Sequence, residues 1–209
     1  MNRNFLSLTT LLISFCIVLS GCTTTKQVSQ APLTMQSPSE RATQLNKITQ
    51  WQVNGKIAFI ERDKRNSATL NWQVDEKNNS QQLNLTSYLG INVLQLTSKQ
   101  GEHTLKFDGK DYHDRDLTAL IYSLTGLTLP TKALSYWIKG LPFQSSDYIE
   151  YDDSNLPLNL TSFYNNQQWQ IAYGNYKQIN DYVLPSKLTV RKDNLLIKIV
   201  INRWQHVEE

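Results

Sequence analysis

Two stretches near the start of the folded region alternate apolar and polar residues with the period of a β-strand that faces a core on one side. Residues 51–59 place Trp51 and every second residue after it on one face, and residues 68–74 do the same from Ala68 to Val74. The polar residues 63–66 between them predict a turn. The pattern therefore predicts a β-hairpin.

The same alternation recurs along most of the chain. Further strands are predicted at residues 82–86, 93–96, 103–107, 148–151, 158–163, 169–173, 188–190 and 195–204. No repeat of fixed length is visible. We expect about ten or eleven antiparallel strands in one domain, because short strands with turns at regular intervals are typical of a barrel or a sandwich.

Three segments have helical spacing instead. Residues 117–124 are apolar at the first, fourth, fifth and eighth positions, with Asp114 or Asp116 as an N-cap and Gly126 as the end. A second helix is predicted at residues 130–138, and a short first helix is predicted to be capped by Ser39. Two helices are thus inserted midway along a β-sheet.

These elements predict a mainly β fold with helices, namely an incomplete, curved antiparallel barrel of about 11 strands. A barrel of this size encloses more space than its side chains fill, so a hydrophobic cavity with the inserted helices as its lid is expected. The alternative is a sandwich with the helices packed outside and no cavity.

The first 22 residues have the order of a bacterial lipoprotein signal that ends in a lipobox. Arg3 supplies a positive leader, a short apolar run follows, and Leu19-Ser20-Gly21-Cys22 closes it. This order predicts a signal peptide over residues 1–21, lipid attachment at Cys22, a flexible tether over residues 22–38 and a single domain over residues 39–209. The alternatives are an ordinary signal peptide with a chance cysteine and an uncleaved anchor.

Composition and charge narrow the possible functions. The formal net charge of +3 falls to +2 when Arg3 leaves with the signal, and no block of like charge indicates nucleic-acid binding. His103, His113 and His206 are scattered without metal-ligand spacing, and no nucleophile elbow or phosphate-binding glycine loop is present. We therefore predict no catalytic residue, no metal and no cofactor, and we expect a monomer that is not an enzyme.

An apolar turn lies between the third and fourth predicted strands. Gly90 supplies the bend, and Tyr88, Leu89 and Ile91 surround it. Turns normally favour polar residues, so apolar residues at an exposed tip indicate an interface. The alternatives are that this tip folds back into the core and that the turn lies elsewhere in the sequence.

A set of short motifs resembles one known family. The set begins with Trp51, Gly55-Lys56-Ile57-Ala58 and Ser67-Ala68 with Asn71-Trp72, and continues with Leu89-Gly90, Leu124-Thr125-Gly126, Trp137-Ile138-Lys139-Gly140-Leu141-Pro142, Asp147-Tyr148, Trp169 with Tyr173, and Trp204. In this order, behind a lipobox, the set resembles the LolB family of outer-membrane receptors for bacterial lipoproteins.

The resemblance implies a curved, unclosed barrel whose mouth is covered by helices. It implies a protein, anchored in the outer membrane and facing the periplasm, that accepts triacylated lipoproteins from a LolA-like periplasmic carrier and places them among the outer-membrane phospholipids. Leu89 corresponds to the family's protruding-loop leucine, which is tied to membrane incorporation. The family often has proline before this leucine, where this chain has Tyr88.

Acyl chains need an apolar wall. We predict that this wall and its lid include Trp51, Ile57, Phe59, Leu70, Trp72, Leu120, Ile121, Leu124, Trp137 and Ile138. Two alternatives remain: an envelope lipoprotein that holds lipid in a barrel cavity, and a structural or assembly lipoprotein without enzymatic activity.

Overall fold

The computed structural model of this protein describes residues 36–62 and 64–209. The predicted signal peptide, Cys22 and most of the predicted tether lie outside the described residues. The helices are α1 Pro38–Leu45, α2 Leu117–Thr125 and α3 Thr131–Trp137. The strands are β1 Gln50–Glu61, β2 Lys64–Asp75, β3 Ser80–Thr86, β4 Asn92–Lys99, β5 Glu102–Phe107, β6 Lys110–Asp114, β7 Tyr148–Tyr151, β8 Pro157–Tyr164, β9 Gln167–Ile179, β10 Tyr182–Lys192 and β11 Leu195–Glu208.

All eleven strands belong to one antiparallel sheet with the order β6-β5-β4-β3-β2-β1-β11-β10-β9-β8-β7. The first and last strands pair with each other in the middle, and β6 and β7 form the two edges. The segment that joins these edges carries α2 and α3. The predicted fold class, a curved and incomplete antiparallel barrel with inserted helices, is confirmed.

The core lies on the concave side of this sheet. At its centre the indole of Trp51 lies edge-on to two others, with ring centroids 4.9 Å from Trp72 and 5.7 Å from Trp204. Helix α3 adds Trp137, whose ring lies 6.0 Å from that of Trp169. All five tryptophans of the sequence thus pack in one shared core.

Gly55 marks the closest approach of β1 and β11. The pairing register shifts between Asn54 and Gly55, and a Cβ at Gly55 would overlap the carbonyl oxygen of Val200. Only glycine fits this close approach.

Three details of the sequence prediction are wrong. Helix α1 is capped by Ser37 and not by Ser39, because Ser37 and Glu40 form a reciprocal capping box. The first hairpin turns at Arg62, which has a φ of 52°, and Lys64–Asn66 belongs to β2. Strand β6 was not predicted. Asp116 and Gly126 do cap α2, as expected. Among the described residues, no helix is long and apolar enough to span a membrane.

Candidate functional site

The turn between β3 and β4 is a compact, hydrogen-bonded tip. The backbone N–H of Ser87 donates to the carbonyl of Ile91 at 2.8 Å, and that of Gly90 donates to the carbonyl of Ser87 at 2.9 Å. Gly90 has a φ of 78°, in the left-handed region that favours glycine. These bonds fix the turn so that its side chains point outward.

The side chains of this tip are almost fully exposed. Tyr88 is 100% exposed, Leu89 80% and Ile91 63%, and Val93 at the start of β4 adds a further 43%. The tip does not fold back into the core. We call Tyr88, Leu89, Ile91 and Val93 the apolar tip; its role in membrane insertion stays a prediction.

The ten residues predicted to line a cavity fall into two separate groups. Trp51, Ile57, Leu70, Trp72, Trp137 and Ile138 are buried in the main core, with Phe59 partly buried against it. Leu120 and Ile121 belong to a second cluster, with Leu124 packed at its edge. The structure therefore does not bring all ten together on one wall, and their contact with acyl chains stays a prediction.

The second cluster joins helix α2 to the far strands of the sheet. Leu117, Leu120 and Ile121 of α2 are buried against Leu96 of β4 and Leu105 of β5. Three partly buried leucines pack against both clusters: Leu83, Leu94 and Leu129. We call the five buried residues the lid cluster. It is a small apolar interface beside the main core.

No polar side chain of α2 hydrogen-bonds to a strand of the sheet in the described structure. Asp116 accepts from the backbone N–H groups of Thr118 and Ala119, both at 3.0 Å. Ser123 and Thr125 donate to carbonyls of their own helix. Apolar contact thus holds α2 on the sheet, and hydrogen bonds do not.

Helix α3 is held in a different way. The buried guanidinium of Arg41, 5% exposed, donates to the carbonyls of Lys139 at 3.0 Å, Gly140 at 3.1 Å and Val183 at 3.1 Å. Burial lowers the pKa of Arg41 from its usual value, and the ring of Tyr176 lies 5.7 Å from the guanidinium carbon. Arg41 therefore ties the turn after α3 to α1 and β10.

Lys139 holds the same turn through contacts in the protein interior. Its ammonium donates to the carbonyl of Ile48 at 3.2 Å and lies 3.4 Å from a carboxylate oxygen of Glu76. Burial lowers the pKa of Lys139, and the nearby Glu76 carboxylate counteracts part of that shift. The motif Trp137–Pro142 thus contains a buried cation, which the apolar residues around it in the sequence do not indicate.

A cleft of about 1170 Å³ opens beside the two inserted helices. One wall is aromatic: the ring of Phe143 lies 5.2 Å from that of Tyr136 and 5.4 Å from that of Tyr164. The other walls carry polar groups, among them Glu76 and His103. None of the ten predicted cavity residues lines this cleft. It gives α2 open space along one flank.

His103 makes its contact inside the sheet. Its Nδ1 lies 2.8 Å from the hydroxyl of Ser98, and burial lowers the pKa of the imidazole. Within residues 36–62 and 64–209, no three His, Cys, Asp or Glu side chains are placed to hold a metal ion.

Comparison with known proteins identifies the chain's relatives. The family model described as "Outer membrane lipoprotein LolB" matches residues 49–204. The outer-membrane lipoprotein LolB of Aeromonas hydrophila is 36% identical over 90% of this chain and 91% of its own length. That of Pseudoalteromonas translucida is 34% identical, and the match covers 93% of each chain.

A solved structure has a similar fold. The crystal structure of a LolA superfamily protein from Nitrosomonas europaea superposes with a TM-score of 0.51 at 10% sequence identity. The match covers 81% of this chain and 93% of that chain. At this identity, the likeness concerns the fold alone.

Proposed function

The chain belongs to the LolB family of outer-membrane lipoproteins, and from this we propose that it is a receptor in lipoprotein localisation. In this proposal it resides in the outer membrane, anchored through lipid at Cys22, and faces the periplasm. It accepts acylated lipoproteins from a LolA-like carrier and passes them to the phospholipid of the inner leaflet. It works as a monomer, and its triacylated cargo binds through the acyl chains.

The observation that carries this proposal is the way α2 is held. A helix that contacts the sheet through apolar side chains can be replaced there by a ligand that offers the same kind of surface. Removing α2 would uncover Leu96 and Leu105 together with the partly buried leucines beside them. This concave apolar surface, under α2, is the acyl-chain site that we propose.

The magnitudes favour such a replacement. Burial of three leucine or isoleucine side chains stabilises the closed position of α2 by roughly 5–9 kcal/mol. One acyl chain of about 16 carbons gains on the order of 12 kcal/mol when it leaves water. A site under α2 can therefore keep an acyl chain out of water even after the cost of opening the helix, and transfer from the carrier requires that this site bind the chain more tightly than the carrier does.

The connection after α2 suits this motion. Gly126, with a φ of 71°, ends the helix, and no atom lies within 4 Å of where its Cβ would be. The cleft offers space beside α2, while Arg41 and Lys139 keep the turn after α3 in place. We propose that α2 moves about Gly126 and that α3 stays on the core.

Delivery would use the apolar tip. Tyr88 and Leu89 project from the end of the β3–β4 hairpin with no partner in the described structure. Leucine and an aromatic ring both partition into the interfacial region of a bilayer. Insertion of the tip would bring the acyl chains next to the leaflet that receives them.

A transfer experiment without membranes tests the receiving step. A LolA-like carrier loaded with a labelled acylated lipoprotein is mixed with this protein, and the two are separated by an affinity tag. We expect the label to move to this protein, and the same lipoprotein without acyl chains to remain unbound.

Two results would contradict the proposal. Label that stays on the carrier would remove the receptor role. Phospholipid bound to the protein in place of any lipoprotein would favour an envelope lipoprotein that only binds lipid.

A further inference from the structure

The hairpin next to the apolar tip extends beyond its neighbour. Strand β2 pairs with β1 from Lys64 onward but with β3 only from Thr69 onward. Five residues of β2 therefore run past the last β2–β3 pair, over roughly 17 Å at the usual rise of a strand. They project from the same end of the sheet as the tip.

This extension is basic. Arg62, Lys64 and Arg65 are exposed, and none forms an ion pair with a carboxylate in the part of the chain that the structure describes. We call these three residues the basic hairpin. Glu61 and Asp63 share the hairpin, so its cations outnumber its anions by one. The turn between β10 and β11 adds Arg191, Lys192 and Asp193 at the same end.

The apolar tip beside the basic hairpin is neutral. No residue from 80 to 98 is charged, so β3, the tip and most of β4 present only apolar and polar groups. On the far side of the tip, the β5–β6 turn carries Lys106, Asp108, Lys110 and Asp111 and is balanced. The tip end of the sheet thus has an uncharged apolar centre with a small excess of cations beside it.

The opposite end of the same strands is acidic. The turns and chain end there carry Asp75, Glu76, Glu102, Asp114, Asp116, Asp181, Glu208 and Glu209. Lys47, Lys77, Lys99 and Arg115 are too few to balance them. An anionic surface would attract the tip end and repel the acidic end, so the molecule would approach it with the tip first.

We propose that the basic hairpin and the apolar tip together form a membrane-docking surface that prefers anionic phospholipid. This inference rests on the proposed function and adds the headgroup class. Cations beside an inserting apolar group remain in the headgroup layer, where they attract anionic lipids. The tip inserts into any bilayer, and the basic hairpin strengthens binding to a bilayer that contains anionic lipid.

Vesicle binding tests this preference. Residues 23–209, which retain the compact unit Thr34–Glu209 and both apolar clusters, are used so that no lipid anchor contributes. Binding to vesicles of the zwitterionic lipid phosphatidylcholine alone is compared with binding to vesicles that also contain phosphatidylglycerol. The test variant is Arg62→Gln with Lys64→Gln and Arg65→Gln.

The matched control removes three exposed cations from the acidic end, as Lys47→Gln with Lys77→Gln and Lys99→Gln. We expect the test variant to bind phosphatidylglycerol vesicles about tenfold or more weakly and the control to bind like the original chain. Both variants should bind vesicles of phosphatidylcholine alone as the original chain does. For the original chain, the preference should disappear at about 0.5 M salt, where charges are screened within a few Å.

Leu89→Glu separates this inference from the proposed function, because it should weaken binding to both kinds of vesicle. If Leu89→Glu has no effect, the delivery step of the proposed function fails. If Leu89→Glu weakens binding but the basic-hairpin variant does not, or if the control loses as much affinity, only the present inference fails. Binding of the original chain that does not depend on salt would also overturn it. So would a basic-hairpin variant that binds the carrier more weakly but binds the vesicles as the original chain does.

Discussion

The guanidinium of Arg41 donates to the carbonyl oxygen of Gly140 at 3.1 Å, across 99 residues of sequence. The contact joins the short first helix to the turn that ends the Trp137–Pro142 motif. Gly140 has a φ of 75°, and a Cβ there would lie 3.1 Å from a guanidinium nitrogen of Arg41. The glycine is thus required both by its own backbone and by its partner.

Removal of the guanidinium should destabilise the fold. Arg41→Leu leaves the carbonyls of Lys139, Gly140 and Val183 buried without this donor. Each lost partner costs roughly 1–3 kcal/mol, which gives about 3–9 kcal/mol for three. We expect the free energy of unfolding to fall by about 3–5 kcal/mol, the lower part of this range, because losses above about 5 kcal/mol are exceptional for one substitution. Urea unfolding of the two proteins measures the difference.

The control for this change is Arg62→Leu, which removes an exposed arginine. It should shift the free energy of unfolding by about 0.5 kcal/mol or less. Equal stability losses in the two variants would show that Arg41 does not hold the turn.

Substitution of two glycines separates backbone strain from crowding. Gly126 and Gly140 both have positive φ, but a Cβ at Gly126 meets no atom within 4 Å. We expect Gly126→Ala to cost about 1 kcal/mol and Gly140→Ala about 1–2 kcal/mol more, because the latter also pushes against Arg41. Thermal or urea unfolding checks this order, and equal costs would contradict it.

Periodicity predicted the sheet well for a physical reason. A strand such as β2 has one buried face, so Leu70, Trp72 and Val74 must alternate with polar residues. Strand β6 lies at the sheet edge, with Tyr112 half-buried between exposed residues, and its sequence therefore carries no such signal. The caps at Asp116 and Gly126 were predictable because capping is a local interaction.

The site was predictable only in part. The exposure of Leu89 follows from an apolar residue beside Gly90 in a turn, which is a local pattern. Arg41 gave no signal, because its partners lie 98 to 142 residues away. Periodicity also identified apolar faces such as that of Leu120 and that of Trp72, but it does not say which cluster each face joins.

The stability of this protein should depend on pH through Lys139. Burial lowers the pKa of Lys139 below its usual 10.5, so between the folded and unfolded values the unfolded chain binds the extra proton. The contribution of Lys139 to the free energy of unfolding therefore rises with pH across that interval. Any stability advantage of Lys139→Met over the original chain should shrink as the pH approaches 10.5.

Urea unfolding of both proteins from neutral pH to 10.5 measures this difference. Burial also raises the pKa of Tyr173, but this tyrosine is present in both proteins and its effect cancels. A difference between the two proteins that stays constant with pH would contradict the account of Lys139.

Weakening the lid cluster should favour acyl-chain binding. Leu120→Ala reduces the apolar contact that holds α2 by about 2–5 kcal/mol. Because the closed position of α2 opposes ligand entry, we expect a fluorescent acyl probe to bind about tenfold or more tightly. Probe titration measures the affinity.

Leu160→Ala is the matched control, since Leu160 of β8 is 1% exposed and belongs to the main core. It should lower the stability of the protein without tightening the binding of the probe. If Leu120→Ala binds the probe no better than the original chain does, α2 is not the lid.

The most direct test follows a labelled acylated lipoprotein from its LolA-like carrier, through this protein, to outer-membrane vesicles. Leu89→Glu is compared with the original chain and with Val200→Glu, which changes an exposed apolar residue of β11. We predict that label reaches the vesicles with the original chain and with Val200→Glu, and that it accumulates on the protein with Leu89→Glu. Label that reaches the vesicles equally in all three, or that never leaves the carrier, would contradict the account.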